Sequence, residues 1–217
     1  MLRSKNTVRE KGNALFLILI AVILFAALSY AITQSNRSGG NASRETNLVA
    51  GTTVTQYPSA IRTAITRMLL RGVSASDIDF IDPADADFDD APVTAKVFHP
   101  NGGGAVYQNV DPNTVELDNH NVPLGAWTFL SEKVVTNIGT GKGDVVAVLT
   151  RVRTGICERI NEQITGSTDI PASSLSDAQA IADAASDFTG AGITGQPFLC
   201  VSTTDNHNVY YHVLLEQ

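Results

Sequence analysis

The stretch "KGNALFLILIAVILFAALSYAIT", residues 11–33, decides how the rest of this chain is read. A basic residue stands directly before an apolar run that begins abruptly and ends among small and hydroxyl-bearing residues. From Ala14 to Leu28, 15 consecutive side chains carry no polar atom, and the run reaches 20 residues if Ser29, Tyr30 and Thr33 are admitted. A helix of about 20 residues, rising about 1.5 Å per residue, crosses the hydrocarbon of a bilayer. The run is therefore long enough to span a membrane, with Leu15, Leu17, Ile20, Leu24 and Leu28 among the residues that face lipid or neighbouring helices.

The flanking charges orient that helix. Residues 1–34 contain Arg3, Lys5, Arg9 and Lys11 against Glu10, a net of +3, and the whole chain carries −7, which leaves −10 for the remainder. Basic residues before the run, with none directly after it, place the N-terminus in the cytoplasm and the acidic body outside, periplasmic or extracellular, in a single pass. An acidic body lacks the Lys and Arg excess that neutralises phosphates, so nucleic acid is not an expected partner.

The segment has three possible fates. Ser29-Tyr30-Ala31 presents small residues at the spacing of a signal-peptidase site, and cleavage there would begin the mature chain at Ile32. An uncleaved helix would instead be a permanent anchor. The third fate comes from Lys11-Gly12-Asn13, where the basic leader ends in glycine and the apolar helix starts at once.

That junction resembles the N-terminus of type IV pilins and secretion pseudopilins of the bacterial inner membrane. The resemblance implies a cut by prepilin peptidase between Gly12 and Asn13. It also implies a helix held in lipid until it packs against the helices of other pilin-like subunits in a filament core. A helix that meets lipid first and sister helices later must be apolar all round, and residues 14–28 meet that requirement. The family usually has Phe or Met first after the cut and Glu fifth. This chain has Asn13 and Leu17, so the resemblance points to a minor or pilin-like subunit.

The expected organisation is a leader at 1–12, a transmembrane or assembly helix at 13–34, a linker at 35–44 and an extracytoplasmic domain at 45–217. The linker reading rests on "QSNRSGGNAS", polar with adjacent glycines that disfavour a helix interior by about 1 kcal/mol each. The fold class is α+β, a long apolar helix followed by a small antiparallel sheet with packed helices, the plan the resemblance also implies.

Within the domain, "PSAIRTAITRMLLRG" places Ile61, Ile65, Met68 and Leu69 on one helical face, with Pro58 near its start and Gly72 at its end. "AKVFHPNGGGAVYQ" reads as a hairpin whose glycines supply positive φ. "AWTFL" and "KVVTNI" have strand character, with Trp127 and Phe129 on one face. "DVVAVLTRVRTGICERINEQITG" reads as one helix N-capped by Asp144 and stopped by Gly166, because Val148, Val152, Ile156, Ile160 and Ile164 recur every fourth residue. Residues 167–195 read as a surface excursion with at most a short helix between Ser176 and Phe188. "FLCVSTTDNHNVYYHVLL" reads as a closing hairpin.

The chemistry-bearing residues are few. The chain has two cysteines, Cys157 and Cys200. Outside the membrane such a pair is expected to form a disulfide, worth about 3–4 kcal/mol for a loop of about 43 residues. "DIDFIDPADADFDD", residues 77–90, holds seven Asp. Asp85, Asp87 and Asp89 open like an EF-hand loop, but Asp90 and Lys96 stand where its Gly and Glu belong. The run reads as a solvated acidic loop, with an irregular calcium site the lesser alternative and no ligand set assigned. "GTGKGD" lacks the spacing of a phosphate loop, His99, His120, His207 and His212 show no paired spacing, and no nucleophile motif is present. No cofactor, metal or enzymatic activity is expected. Two functions stay open: a pilin-like subunit, and a single-pass anchored binding module outside any filament.

Overall fold

The computed structural model describes residues 11–35, 39–140, 143–182 and 187–217. The fold is α+β. It divides into two compact units, residues 1–43 and residues 44–217.

The described part of the first unit contains α1, Lys11–Ser35. Its large side chains are solvent-facing on every side, as a helix without a polar face must be when nothing apolar surrounds it. Residues 1–10 of the expected leader lie outside the described residues, and at the expected junction only the helical backbone of Gly12 and Asn13 is described.

Helix α2 spans Gly39–Leu70 and runs through Pro58. It therefore begins inside the stretch expected to be a linker, of which residues 36–38 are outside the described residues. Glycine is costly in a helix interior but mild in a first turn, where the backbone N–H groups lack intrahelical partners in any case. Asn41 to Arg44 accordingly extend the helix towards its N-terminus.

The second unit is built on a four-stranded antiparallel sheet in the order β1-β2-β4-β3. Its strands are β1 (Trp127–Lys133), β2 (Asp144–Leu149), β3 (Phe198–Ser202) and β4 (Asn208–Leu215). The closing hairpin forms as expected, and β4 is built into the middle of the sheet. Trp127 and Phe129 share a face, also as expected, both packing beside Tyr57.

The expected helix from Asp144 is corrected. Residues 144–149 are the central strand β2, and only Thr154–Thr165 is helical (α3), ending at Gly166 in the left-handed conformation. Every residue of β2 is buried, so both faces must be apolar, and a run of Val, Ala and Leu satisfies strand and helix templates alike. The break falls at Arg151, held at φ 58°. Its guanidinium is clamped by Asp177 at 2.8 Å and faces Glu116 at 3.6 Å, contacts that offset the strain of a left-handed non-glycine residue.

The two sheet faces are covered by different elements. Val145, Ala147, Leu149, Tyr210 and Leu214 meet α2 through Tyr57, Ile61, Ile65 and Met68, and α3 through Ile156, Cys157 and Ile160. Val146, Val148, Leu199, Val201, Tyr211 and Val213 meet Leu175, Ala180, Phe188 and Ile193. The segment read as a surface excursion therefore supplies the second wall of the core. It contains only the four-residue helix α4, Asp177–Ala180, among its described residues, with a capping box between Ser176 and Gln179, and Phe188 stacks on Tyr211 with ring centroids 4.5 Å apart. Residues 183–186, within the range expected for a short helix, are outside the described residues.

Of the expected "KVVTNI" strand, Lys133 ends β1 opposite Asp144, and beyond it only a single bridge between Val135 and Phe188 forms. An irregularity between Leu130 and Lys133 turns Lys133 inward. There it is fully buried, donates to the carbonyls of Gln179 at 2.6 Å and Ala182 at 2.9 Å, and lies 5.6 Å from the centre of the Phe188 ring. A buried ammonium is tolerated because main-chain oxygens replace its water.

The hairpin around "NGGG" does not form a ladder. The Ala105 N–H donates to Val97 and the Gly103 N–H to Lys96 in a compact turn. Gly104 alone of the three glycines has positive φ, 62°. Gly102 and Gly103 are needed because any Cβ there would collide with the carbonyls of Lys96 and Val97.

Candidate functional site

Three regions carry the expected functional residues. The first is α1, in which Leu15–Ile32 has a mean hydropathy of 2.9 and none of its 18 residues is buried. Leu15, Leu17, Ile20, Leu24 and Leu28 are 68, 60, 37, 65 and 59% exposed, and Phe16, Ile18, Leu19, Val22, Ile23 and Phe25 between them are exposed as well, so the apolar surface runs all round the helix. By length and composition this helix can cross a membrane, and it is compatible with an anchor.

The second region joins α3 to the edge of the sheet. Cys157 and Cys200 form a disulfide with Cα atoms 5.4 Å apart, closing a separation of 43 residues. Beside it stands Asn161, which the sequence reading did not single out. Its amide nitrogen donates to the carbonyls of Cys200 and Asp169, each at 2.8 Å, and its oxygen accepts from the Cys200 N–H at 2.9 Å. One side-chain amide thus does for β3 what a fifth strand would do at that position. Two residues on, Ser202 exchanges bonds with Pro171 and Ser173, at 2.9 and 2.8 Å. These contacts occupy polar groups along the outer edge of β3 that could otherwise recruit another strand.

The third region is the acidic run. As expected of a solvated acidic loop, Asp77, Asp85, Asp87, Asp89 and Asp90 are exposed, while the backbone of the run is organised from within. Lys96, 4% exposed, directs its ammonium at three main-chain oxygens, donating to Asp90 at 2.6 Å, to Phe88 at 3.0 Å and to Asp87. Opposite Lys96, the Asp79 N–H donates to the Ala95 carbonyl and the Asp79 carbonyl accepts from the Val97 N–H, His99 lies 3.3 Å from Asp89, and the Asp82 carboxylate caps the turn at Ala84. The Tyr107 hydroxyl bonds Asp82. That contact pushes the Tyr107 phenol up to about 12, while the Asp82 carboxyl is lowered, chiefly by the Ala84 N–H.

Converging carbonyl oxygens are what a hard cation seeks, and here the chain's own Lys96 fills the position. We expect Lys96→Met to cost about 2 kcal/mol by stranding partly buried carbonyls, read by urea denaturation. Chelation with EDTA should leave the wild-type Tm unchanged, and a calcium-dependent rise in that Tm would contradict this account. Among the described residues no group of three or more His, Cys, Asp or Glu side chains is placed to hold a metal.

The histidines separate by environment. His120 is exposed beside Asp118, and His207 lies 3.2 Å from Glu116 in the ion-pair group that holds Arg151. His99 accepts from the Asn101 N–H at 3.1 Å. His212 is buried, bonded to the Tyr210 hydroxyl at 2.8 Å and stacked on Phe198 with ring centres 4.9 Å apart. Burial, and secondarily the charge of Arg62, holds its imidazole at about 4.

A comparison of the chain with protein-family models, with curated proteins and with solved structures returns no match in any of the three.

Proposed function

We propose that this chain is a pilin-like structural subunit, a minor pilin or pseudopilin-like component of an envelope filament or secretion system. In this reading prepilin peptidase removes residues 1–12, α1 holds the protein in the bacterial inner membrane, and the acidic α+β domain is displayed outside. The observation that carries the proposal is the Lys11-Gly12-Asn13 junction placed directly before an 18-residue span that is apolar and exposed on all sides. A helix of that kind suits lipid and, later, the packed helices of other subunits. The disulfide that ties α3 to β3 suits an oxidising compartment.

A second reading, an anchored binding module that never leaves the bilayer, is favoured by Leu17 at the place where the family usually has Glu. The discriminating measurement is the mass and N-terminal sequence of the protein purified from its host membranes with prepilin peptidase present. We expect a chain starting at Asn13, and the Gly12→Leu variant should remain full length. A start at Ile32 would identify a secreted domain instead, and an unprocessed wild-type chain would favour the plain anchor.

A further inference from the structure

Helices α2 and α3 do not close over the sheet along their whole length. Between them lies an open cleft of about 740 Å³, walled by Thr55, Ser59, Arg62 and Thr63 of α2 and by Gln163 of α3, with Phe198 and His212 from the sheet also lining it. The volume falls within the range of about 300–1,000 Å³ common for small-molecule sites.

The hydrogen-bonding character of the walls is specific. The hydroxyls of Thr55, Ser59 and Thr63 donate to the carbonyls of Thr52, Thr55 and Ser59, at 3.0 Å in each case. Their protons are committed to the helix, so they offer oxygen lone pairs to the cleft. Donors come from elsewhere: the Arg62 guanidinium, the Gln163 amide and His212. Assigning the Tyr210 phenol proton to His212 Nδ1 makes that nitrogen the acceptor, so the ring keeps its proton on Nε2. Arg62 is matched by Glu216 at 3.8 Å, so the pair brings no net charge to the cleft.

We propose that this cleft binds a neutral saccharide, with Phe198 as its apolar platform. An anion would meet a row of lone pairs and the Glu216 carboxylate beside Arg62. A polyol suits both sets of partners, because each hydroxyl can donate to Thr55, Ser59 or Thr63 while accepting from Arg62, Gln163 or His212. The C–H groups of a sugar ring suit the apolar surface of Phe198 beside the His212 ring that stacks on it. This proposal does not depend on whether α1 assembles into a filament.

The test is carried out on the full chain in lipid nanodiscs, free of glycosidic detergent, by following the His212 ring nitrogens and the threonine methyls by NMR. The probes are chitobiose and maltose, up to about 10 mM, ten times a millimolar Kd. We expect saturable shifts at His212, Thr55 and Thr63, and a Kd at least about tenfold weaker in Arg62→Ala/Gln163→Ala, whose replaced side chains are exposed and whose fold is checked by its unchanged remaining spectrum. Three results would each overturn the proposal. These are no shift with either sugar, equal shifts with sodium acetate or phosphate, or shifts that follow protein concentration without sugar, the mark of a second copy in the cleft.

Discussion

The Cys157→Ala/Cys200→Ala variant should unfold about 4 kcal/mol more easily than the wild type, the chain-entropy value for a closed loop of 43 residues. Both sulfurs are fully buried, and the bond spans the contact between α3 and the edge strand β3, so no other covalent tie limits that separation in the unfolded chain. The effect should appear as a lower urea midpoint, accompanied by faster hydrogen exchange in β3 and α3 before the rest of the sheet. A loss below about 1 kcal/mol would show that the Asn161 amide and the Ile156 and Ile160 packing hold the two elements together unaided. Adding Asn161→Ala would then separate the two contributions. Asn161 makes two buried bonds to Cys200 and a part-buried one to Asp169, and stranding the Cys200 N–H and carbonyl is costly.

Acid should destabilise the domain through His212. The imidazole titrates at about 4 when folded against 6.5 for the free group, because burial disfavours its charged form and Arg62 adds repulsion. Between those values the unfolded chain takes up a proton that the folded chain refuses. Stability is therefore intact above pH 6.5 and falls as pH drops towards 4, by about 3 kcal/mol for a shift of this size. His212→Phe, which keeps a ring against Phe198, should flatten that slope in urea denaturation series at stepped pH. Asp144 acts in the opposite sense at the acidic end, since burial raises its carboxyl and its protonation favours the folded state. Comparison of the variant with the wild type isolates the histidine. An identical slope in both proteins would place the acid sensitivity elsewhere.

Much of the architecture was legible wherever local pattern and burial agree. The stripe of Ile61, Ile65 and Met68 needed only a period of 3.6, and the closing hairpin only two β-rich runs around a polar turn. The cysteine pair was legible because a chain with two thiols leaves few alternatives for their pairing. Residues 144–149 failed for a definite reason: a strand buried on both faces loses its period of two, and its valines then align with the true helix that follows. The excursion after Gly166 was misread because its core residues, Leu175, Ala180, Phe188 and Ile193, are spaced without any period among small polar ones. A segment that packs irregularly onto a sheet has no periodic signature.

The candidate sites divide in the same way. The cleft lining comes from α2, α3, β3 and β4, and its chemistry depends on where the Thr55, Ser59 and Thr63 hydroxyl protons go, which composition does not record. Lys96 and Lys133 look like ordinary solvated lysines until the carbonyls around them are located. Asn161 becomes informative only once it is seen beside Cys200.

By itself, the sequence determined the properties that follow from continuous local chemistry: an apolar helix long enough to span a bilayer, an acidic body, an amphipathic α2 and a two-cysteine inventory. Only the tertiary structure decided which face each strand buries, what covers the second face, where the two buried ammonium groups sit, and which polar groups converge between α2 and α3. The physical reason is range. Helix propensity, charge balance and hydropathy act between neighbours along the chain, whereas burial and hydrogen-bond satisfaction are set by residues such as Lys133 and Gln179, which meet only when the sheet closes.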